Sequence, residues 1–262
     1  MGKLDNRVAI VTAAASGMGL GAATRLAEEG AHVYLTDIDA AAVEQAAGPI
    51  REAGGTVTAY QLDVTDLDAW KALLKEVEGT FGALHVLHHH AGIPGPSGME
   101  VTAEEFDFVV DVNLRGAFMA TEFAVPLLER AVPHACVLYT ASISGLRSSP
   151  TSPIYGMTKG GMVNLMRTVA RQLGPKGIRA NAICPGYVVT PGTYEFIARG
   201  TPDRERSRED IDKEIDATIN SAVPLRRRGT PWDIGAAAAF LASDDASYIS
   251  GVALPVDGGI MA

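Results

Sequence analysis

A doubly wound α/β fold around one parallel sheet is the fold class this sequence predicts, and three observations predict it. Short apolar runs alternate with longer stretches of helical periodicity along the chain. The short runs are β-branched and continuous rather than alternating with polar residues, as in strands covered by helices on both faces. No linker or shift in composition divides the 262 residues, a length that one large domain accommodates. Residues 1–262 therefore read as a single domain on a seven-stranded parallel sheet.

The elements follow in order. "RVAIVT" (7–12) is the first strand, and after a run of small residues a helix extends from Met18 to Glu29. Strands at 31–37, 56–64 and 84–90 alternate with helices at 40–54 and 67–81. A long helix is predicted over 103–131, a strand over 135–141, a helix over 154–174 and a strand over 178–186. A helix at 230–243 and a strand at 252–259 close the pattern. Pro191 to Pro224 departs from it, with the charged run "PDRERSREDIDKEID", and 191–222 reads as a substrate lid or loop.

Composition narrows the function classes. The net charge of −9 argues against nucleic acid and anionic membranes as partners. The basic cluster Arg226, Arg227 and Arg228 reads as a solvated or salt-bridged loop. Cys136 and Cys184 lie inside apolar runs and read as small buried hydrophobes, so a reducing cytoplasm is the expected setting. The opening "MGKLDNRVAIVT" lacks the apolar core of a signal peptide, and no run approaches a membrane span.

The turn after the first strand, "TAAASGMG", meets a helix N-terminus, where free N–H groups and the helix dipole attract a phosphate. Gly17 and Gly19 let the backbone approach that anion. Asp37 closes the second strand, 18 residues after Gly19. Its carboxylate suits ribose hydroxyls and repels a 2′-phosphate, which favours NAD over NADP. The other reading of Asp37 is a cap for the helix beginning near Asp39.

Tyr155 and Lys159, four residues apart in "YGMTKGG", share one helix face. A neighbouring ammonium is expected to lower the phenol's pKa from near 10, making the pair an acid/base for interconverting an alcohol and a carbonyl. Ser142 lies 13 residues before Tyr155 at a strand end, and Asn113 lies in the preceding helix.

With this set in place, the chain resembles the short-chain dehydrogenase/reductase family. The motifs are "VAIVTAAASGMG", "LDVTD" at 62–66, "VNLRGAF" at 112–118, "YGMTKGG" at 155–161, "PGYVVTP" at 185–191 and the closing "VDGG". The resemblance implies a Rossmann-type fold, NAD as cofactor and a homotetramer. Tyr155 would transfer the proton and Lys159 would hold the nicotinamide ribose. Ser142 would fix the reacting oxygen, and Asn113 would hold a water leading from Lys159 to solvent. Cofactor contacts would come from Thr12, Ser16, Gly17, Met18, Gly19, Asp37, Asp63, Val64, His90, Ala91, Gly92, Tyr155, Lys159, Pro185, Gly186, Val188 and Thr190. No metal is implied.

Two positions depart from the family pattern. Ala13 stands where a glycine usual in the family would follow the threonine, and its methyl is expected to strain the turn or crowd the phosphates, giving weaker or reshaped binding rather than loss. His90 replaces an asparagine that braces the sheet beside the cofactor. His90 ends the run "HHH" (88–90), which has three readings: a metal site, a catalytic base or structural side chains. On a strand, His88 and His90 share one face and His89 the other, so the three cannot converge on one ion. The structural reading is preferred. If His90 acts as a neutral ring, cofactor affinity should fall below roughly pH 6, and His90→Asn should keep activity.

The expected function is NAD-dependent interconversion of a secondary alcohol and a ketone. Ile93, Pro94, Ser144, Leu146, Tyr187 and the lid would line the substrate pocket, with Arg147 and Arg199 as candidate cations. A small or medium neutral alcohol, diol or cyclic ketone fits best. The alternatives are a 3-oxoacyl thioester reductase of the same family and a catalytically silent nucleotide sensor. An epimerase or dehydratase of the extended relatives would need an additional substrate region.

Overall fold

The computed structural model describes residues 2–149, 152–194 and 207–262. Seven parallel strands form one sheet in the order β3-β2-β1-β4-β5-β6-β7. They are β1 (Val8–Thr12), β2 (His32–Asp37), β3 (Thr56–Gln61), β4 (Val86–His89), β5 (Cys136–Thr140), β6 (Arg179–Pro185) and β7 (Ala253–Val256). The order reverses between β1 and β4. In sheets of this kind ligands bind beyond the strand ends at such a switch point.

Helices cover both faces, so every residue of the central strands β1, β4 and β5 is buried. On one face, α3 (Leu67–Phe81), α5 (Gly116–Glu129) and α6 (Pro153–Leu173) bury Trp70, Leu73, Leu128, Met162 and Met166. On the other, α1 (Gly17–Glu28), α2 (Ala40–Glu52) and α8 (Pro231–Ala242) bury Leu26, Val43, Ile234 and Leu241. Close approach of α1 and α8 depends on glycine. A side chain at Gly235 would put its first carbon 2.4 Å from the Gly21 carbonyl oxygen.

Three expectations change. The helix predicted over 103–131 is α4 (Ala103–Val110), a π-helical turn over Asp111–Arg115, and α5. Gly116 sits at the break, where a side chain would meet the Val64 carbonyl at 2.7 Å. The last strand stops at Val256. Gly258 and Gly259 adopt φ of 68° and 94°, and the Asp257 carboxylate accepts from the N–H groups of Gly259 and Met261, so "DGG" is a turn. Within the expected lid, Arg208–Ala222 forms helix α7. Its Ile211, Ile215 and Ile219 cluster with Val223, Val189, Tyr194 and Ile260. Arg199 lies outside the described residues.

Candidate functional site

The turn from β1 into α1 carries the strain that the sequence suggested. Ala13 has φ +51°, a left-handed conformation that costs a residue with a side chain roughly 1 kcal/mol or more. Gly17 also lies there, at φ +55°, with Thr190 of the loop after β6 at 3.3 Å from where its first side-chain carbon would be. Gly19 is closed in further. A side chain there would meet the Ala13 carbonyl oxygen at 2.1 Å and the His90 ring carbon Cδ2 at 2.8 Å. Ser16 caps α1 without a side-chain hydrogen bond to the helix. Met18, beside it, packs against the core of the α1 face.

Beside this turn, hydrogen bonds link the ends of β1, β4 and β5. The N–H groups of His90 and Ala91 both donate to Thr12 Oγ1, at 2.9 Å each. Thr140 Oγ1 lies 2.9 Å from both His88 Nε2 and His90 Nδ1. His88 and His90 thus work on one side, and His89 on the other, where it stacks on Trp70 at 6.4 Å. His88 and His89 are fully buried. Burial pushes their pKa values down to about 4 and about 3. Burial, with the charge of Lys159 adding to it, also holds His90 well below the ordinary imidazole value. The same burial favours the neutral His90 ring and moves the loss of affinity expected near pH 6 toward more acidic pH.

Lys159 reaches the same node from α6. Its Nζ donates to the Thr140 carbonyl oxygen at 2.8 Å and lies 5.6 Å from the Tyr155 ring centroid. Burial lowers its pKa to about 8. Gly92 passes beneath it, where a side chain would meet Nζ at 2.9 Å. Ser142 begins a short 3-10 turn after β5, and its Oγ accepts the Ser144 N–H at 3.1 Å. That turn presses on α6 through Gly145, where a side chain would meet the Lys159 backbone at 2.5 Å. This close approach brings Ser142 to Tyr155.

Tyr155 differs from expectation. Burial raises its pKa, and the hydrogen bond with Ser142 pulls it back. Lys159 is turned toward the Thr140 carbonyl, so its ammonium does not offset the loss of water. The resting phenol is thus protonated at neutral pH. Asn113 sits in the π-helical turn, fully buried. Its Oδ1 accepts from Ile93 N at 2.8 Å, and its Nδ2 donates to Ile93 O and Thr158 Oγ1 at 2.9 Å. Its side chain therefore clamps the Ile93 backbone.

The remaining predicted positions flank the cleft. Asp37 accepts from Ala15 N and Asp39 N, both at 3.2 Å, while Asp39 itself caps α2. Asp63 accepts from Thr65, and the Val64 carbonyl accepts from Trp70 Nε1 at 3.1 Å. Beyond β6, Pro185 and Gly186 lead to Val188, which bridges to Gly229, and to Thr190, whose N–H donates to Thr193 Oγ1. Sequence reading missed Thr140, whose hydroxyl holds two histidines and whose carbonyl holds Lys159. Cys184, read from the sequence as a small buried hydrophobe, is buried beside Ser142, and burial raises its thiol's pKa to about 11.

The residues fit a dinucleotide. Gly19 and Gly92 leave no room for a side chain against the protein's own atoms and Gly17 little against Thr190, so the backbone runs bare at a helix N-terminus, where the first N–H groups have no partner within the helix. Among the described residues, no group of three or more His, Cys, Asp or Glu side chains could hold a metal, and no helix is long and apolar enough to cross a membrane.

The sequence profile described as Enoyl-(Acyl carrier protein) reductase matches residues 12–261. A meso-2,3-butanediol dehydrogenase of Serratia marcescens is 35% identical over 261 residues, covering 99% of this chain and 96% of its own. A 3-oxoacyl-[acyl-carrier-protein] reductase of Thermotoga maritima is 31% identical over 260 residues, covering 99% of each. Among solved structures, levodione reductase superposes with a TM-score of 0.89 at 33% identity, covering 98% of both chains.

Proposed function

The chain belongs to the short-chain dehydrogenase/reductase family, and we propose that it is an NAD-dependent oxidoreductase interconverting a secondary alcohol and a ketone. The observation that carries this reading is the meeting of Tyr155, Ser142 and Lys159 beside that bare glycine backbone at the switch point. The nicotinamide, when bound, supplies or accepts the hydride. The protein's part is position and proton transfer. Tyr155, protonated at rest, gives its phenolic proton to the oxygen of a ketone, and takes it back in the reverse direction. Ser142 holds that oxygen. Lys159 binds the ribose beside it, and Asn113 keeps Ile93 and the pocket wall in place.

Asp37 supports NAD over NADP. Its carboxylate closes β2, and no Lys or Arg occurs from Thr36 to Ala47 to attract a 2′-phosphate. The remaining cofactor contacts are assigned to Thr12, Ser16, Gly17, Met18, Gly19, Asp63, Val64, His90, Ala91, Gly92, Pro185, Gly186, Val188 and Thr190. We read 1–262 as one domain with 191–222 over the substrate. Phe106, Phe108, Phe118 and Met157 are exposed on α4, α5 and α6, which supports a homotetramer. Two free, buried cysteines support a cytoplasmic setting. The Thermotoga maritima relative favours a second reading, reduction of a 3-oxoacyl thioester.

The test is a panel of alcohols, diols, ketones and a 3-oxoacyl thioester with NAD and NADP, followed by absorbance of the reduced cofactor. We expect NAD-dependent turnover of a neutral secondary alcohol, lost in Tyr155→Phe. A preference for NADP overturns the reading of Asp37. Tight NAD binding without turnover on any substrate points instead to a nucleotide sensor.

A further inference from the structure

The histidine run forms a hydrogen-bond chain with Thr140 that sets which ring nitrogens carry protons. A neutral imidazole carries one N–H and one lone pair. His88 Nδ1 is buried and has no partner. A buried lone pair is tolerated better than a buried N–H, so the His88 proton belongs on Nε2, where it donates to Thr140 Oγ1. Thr140 has one hydroxyl proton, and His90 Nδ1 at 2.9 Å is placed to accept it. His90 then carries its own proton on Nε2. That nitrogen is bonded to Cδ2, the ring atom lying against Gly19 in the phosphate-binding turn.

We propose that His90 is a cofactor-binding residue whose Nε2–H, oriented by the chain His88–Thr140–His90, donates to the dinucleotide's diphosphate beside Gly19. The proposal rests on the dinucleotide reading above. It explains why a histidine serves at this position. An asparagine braces with one end and reaches no further, whereas the longer ring bonds Thr140 with one nitrogen and faces the turn with the other. His90 thereby shares with Lys159 a single anchor, Thr140, whose hydroxyl orients the ring and whose carbonyl holds the ammonium.

The experiment measures NADH and NADPH dissociation constants by fluorescence for the wild-type protein, His90→Phe, Thr140→Val and Thr140→Ser. Side-chain 15N NMR of the wild type reads which histidine nitrogens carry protons. His90→Phe keeps the ring shape and loses the donor, so NADH should bind about tenfold more weakly, as for the loss of one hydrogen bond to a charged group. Thr140→Val should weaken it in the same direction, and Thr140→Ser should recover most of the loss. The His90 proton should sit on Nε2. A proton on His90 Nδ1, or His90→Phe binding NADH as tightly as the wild type, overturns the proposal alone. Wild-type protein that binds neither dinucleotide overturns the functional reading with it. The NMR measurement needs no variant, so the proposal stays exposed if His90→Phe does not fold.

Discussion

The cofactor side and the substrate side of the cleft are held by different forces. At the ends of β1, β4 and β5, buried side chains do the holding. Thr12 receives two N–H groups, Thr140 links His88, His90 and Lys159, and Asn113 clamps Ile93. On the substrate side, α7 rests on a small cluster of isoleucines and on one partly exposed guanidinium. Arg228 donates to Asp216 Oδ1 and Asp212 Oδ1 at 2.7 Å each, and Tyr194 donates to that same Asp212 oxygen at 2.8 Å. Buried hydrogen bonds are strong and fix geometry, whereas surface ion pairs are weak and screened by salt. On the proposed reading, the dinucleotide side is thus rigid and the cover adjustable.

Acid should break the cofactor side first, and with the largest effect. His88, His89 and His90 are neutral in the folded protein well below pH 6.5, while the unfolded chain protonates them near that value. The unfolded state therefore binds more protons as pH falls, and stability present above pH 6.5 is lost progressively toward pH 4. The slope is about 1.4 kcal/mol per pH unit for each histidine, or about 4 for three. Denaturant titrations from pH 7.5 to 4.5 should show this steepening, and His89→Phe should remove about one proton from it. A slope below one proton's worth would show that the histidines open to water before the fold does.

Gly19→Ala probes the same side with the fold intact. Its methyl would meet the Ala13 carbonyl, a backbone atom that cannot swing aside, together with the His90 ring. NADH affinity should fall at least tenfold, about 1.4 kcal/mol, with substrate KM changed far less. Equal affinity would mean that the turn is softer than its packing indicates. Ala13→Gly runs the other way. Removing a methyl held at φ +51° relieves strain, so the unfolding free energy should rise by up to about 1 kcal/mol.

These two positions also show what the sequence made legible. The four-residue spacing of Tyr155 and Lys159 puts both on one helix face but says little alone; the pair was legible because Ser142, Asn113 and the family motifs stand around it. Gly17 and Gly19 were legible from their place after the first strand of a βαβ unit, and Ala13 from its departure from the family's Thr-Gly turn. Thr140 was invisible, since its bonds cross to β4 and to α6, and no local spacing encodes a contact made across a sheet. The π-helical turn around Asn113 was invisible, since no local spacing encodes it and the close approach of Gly116 beside it is to the Val64 carbonyl, about 50 residues away in the chain. The pKa of Tyr155 moved against expectation for a related reason. Spacing placed the ammonium nearby, but burial and the pull of the Thr140 carbonyl decided where it pointed.

Arg228→Ala should give the smallest effect on stability and the clearest contrast between the two sides. The guanidinium is about one-third exposed, so its loss should cost about 1 kcal/mol or less and shrink further in high salt. What it holds is α7, through Asp212 and Asp216, against the loop that continues from Gly229 to the bridge with Val188. With that tie lost, α7 is held less firmly, so if 191–222 covers the substrate as proposed, substrate KM should rise severalfold. The dissociation constant for NADH should change far less, because of the cofactor contacts assigned above only the segment Pro185–Thr190 is tied to Gly229 beside Arg228, and the others lie at the ends of β1 to β4, at the start of α1 and on α6. If Arg228→Ala weakened NADH as much as substrate, the two sides would be one cooperative unit. Arg228→Lys discriminates further. It keeps the charge but cannot make the forked contact with two carboxylates, so a KM close to that of Arg228→Ala would assign the tie to geometry rather than to charge.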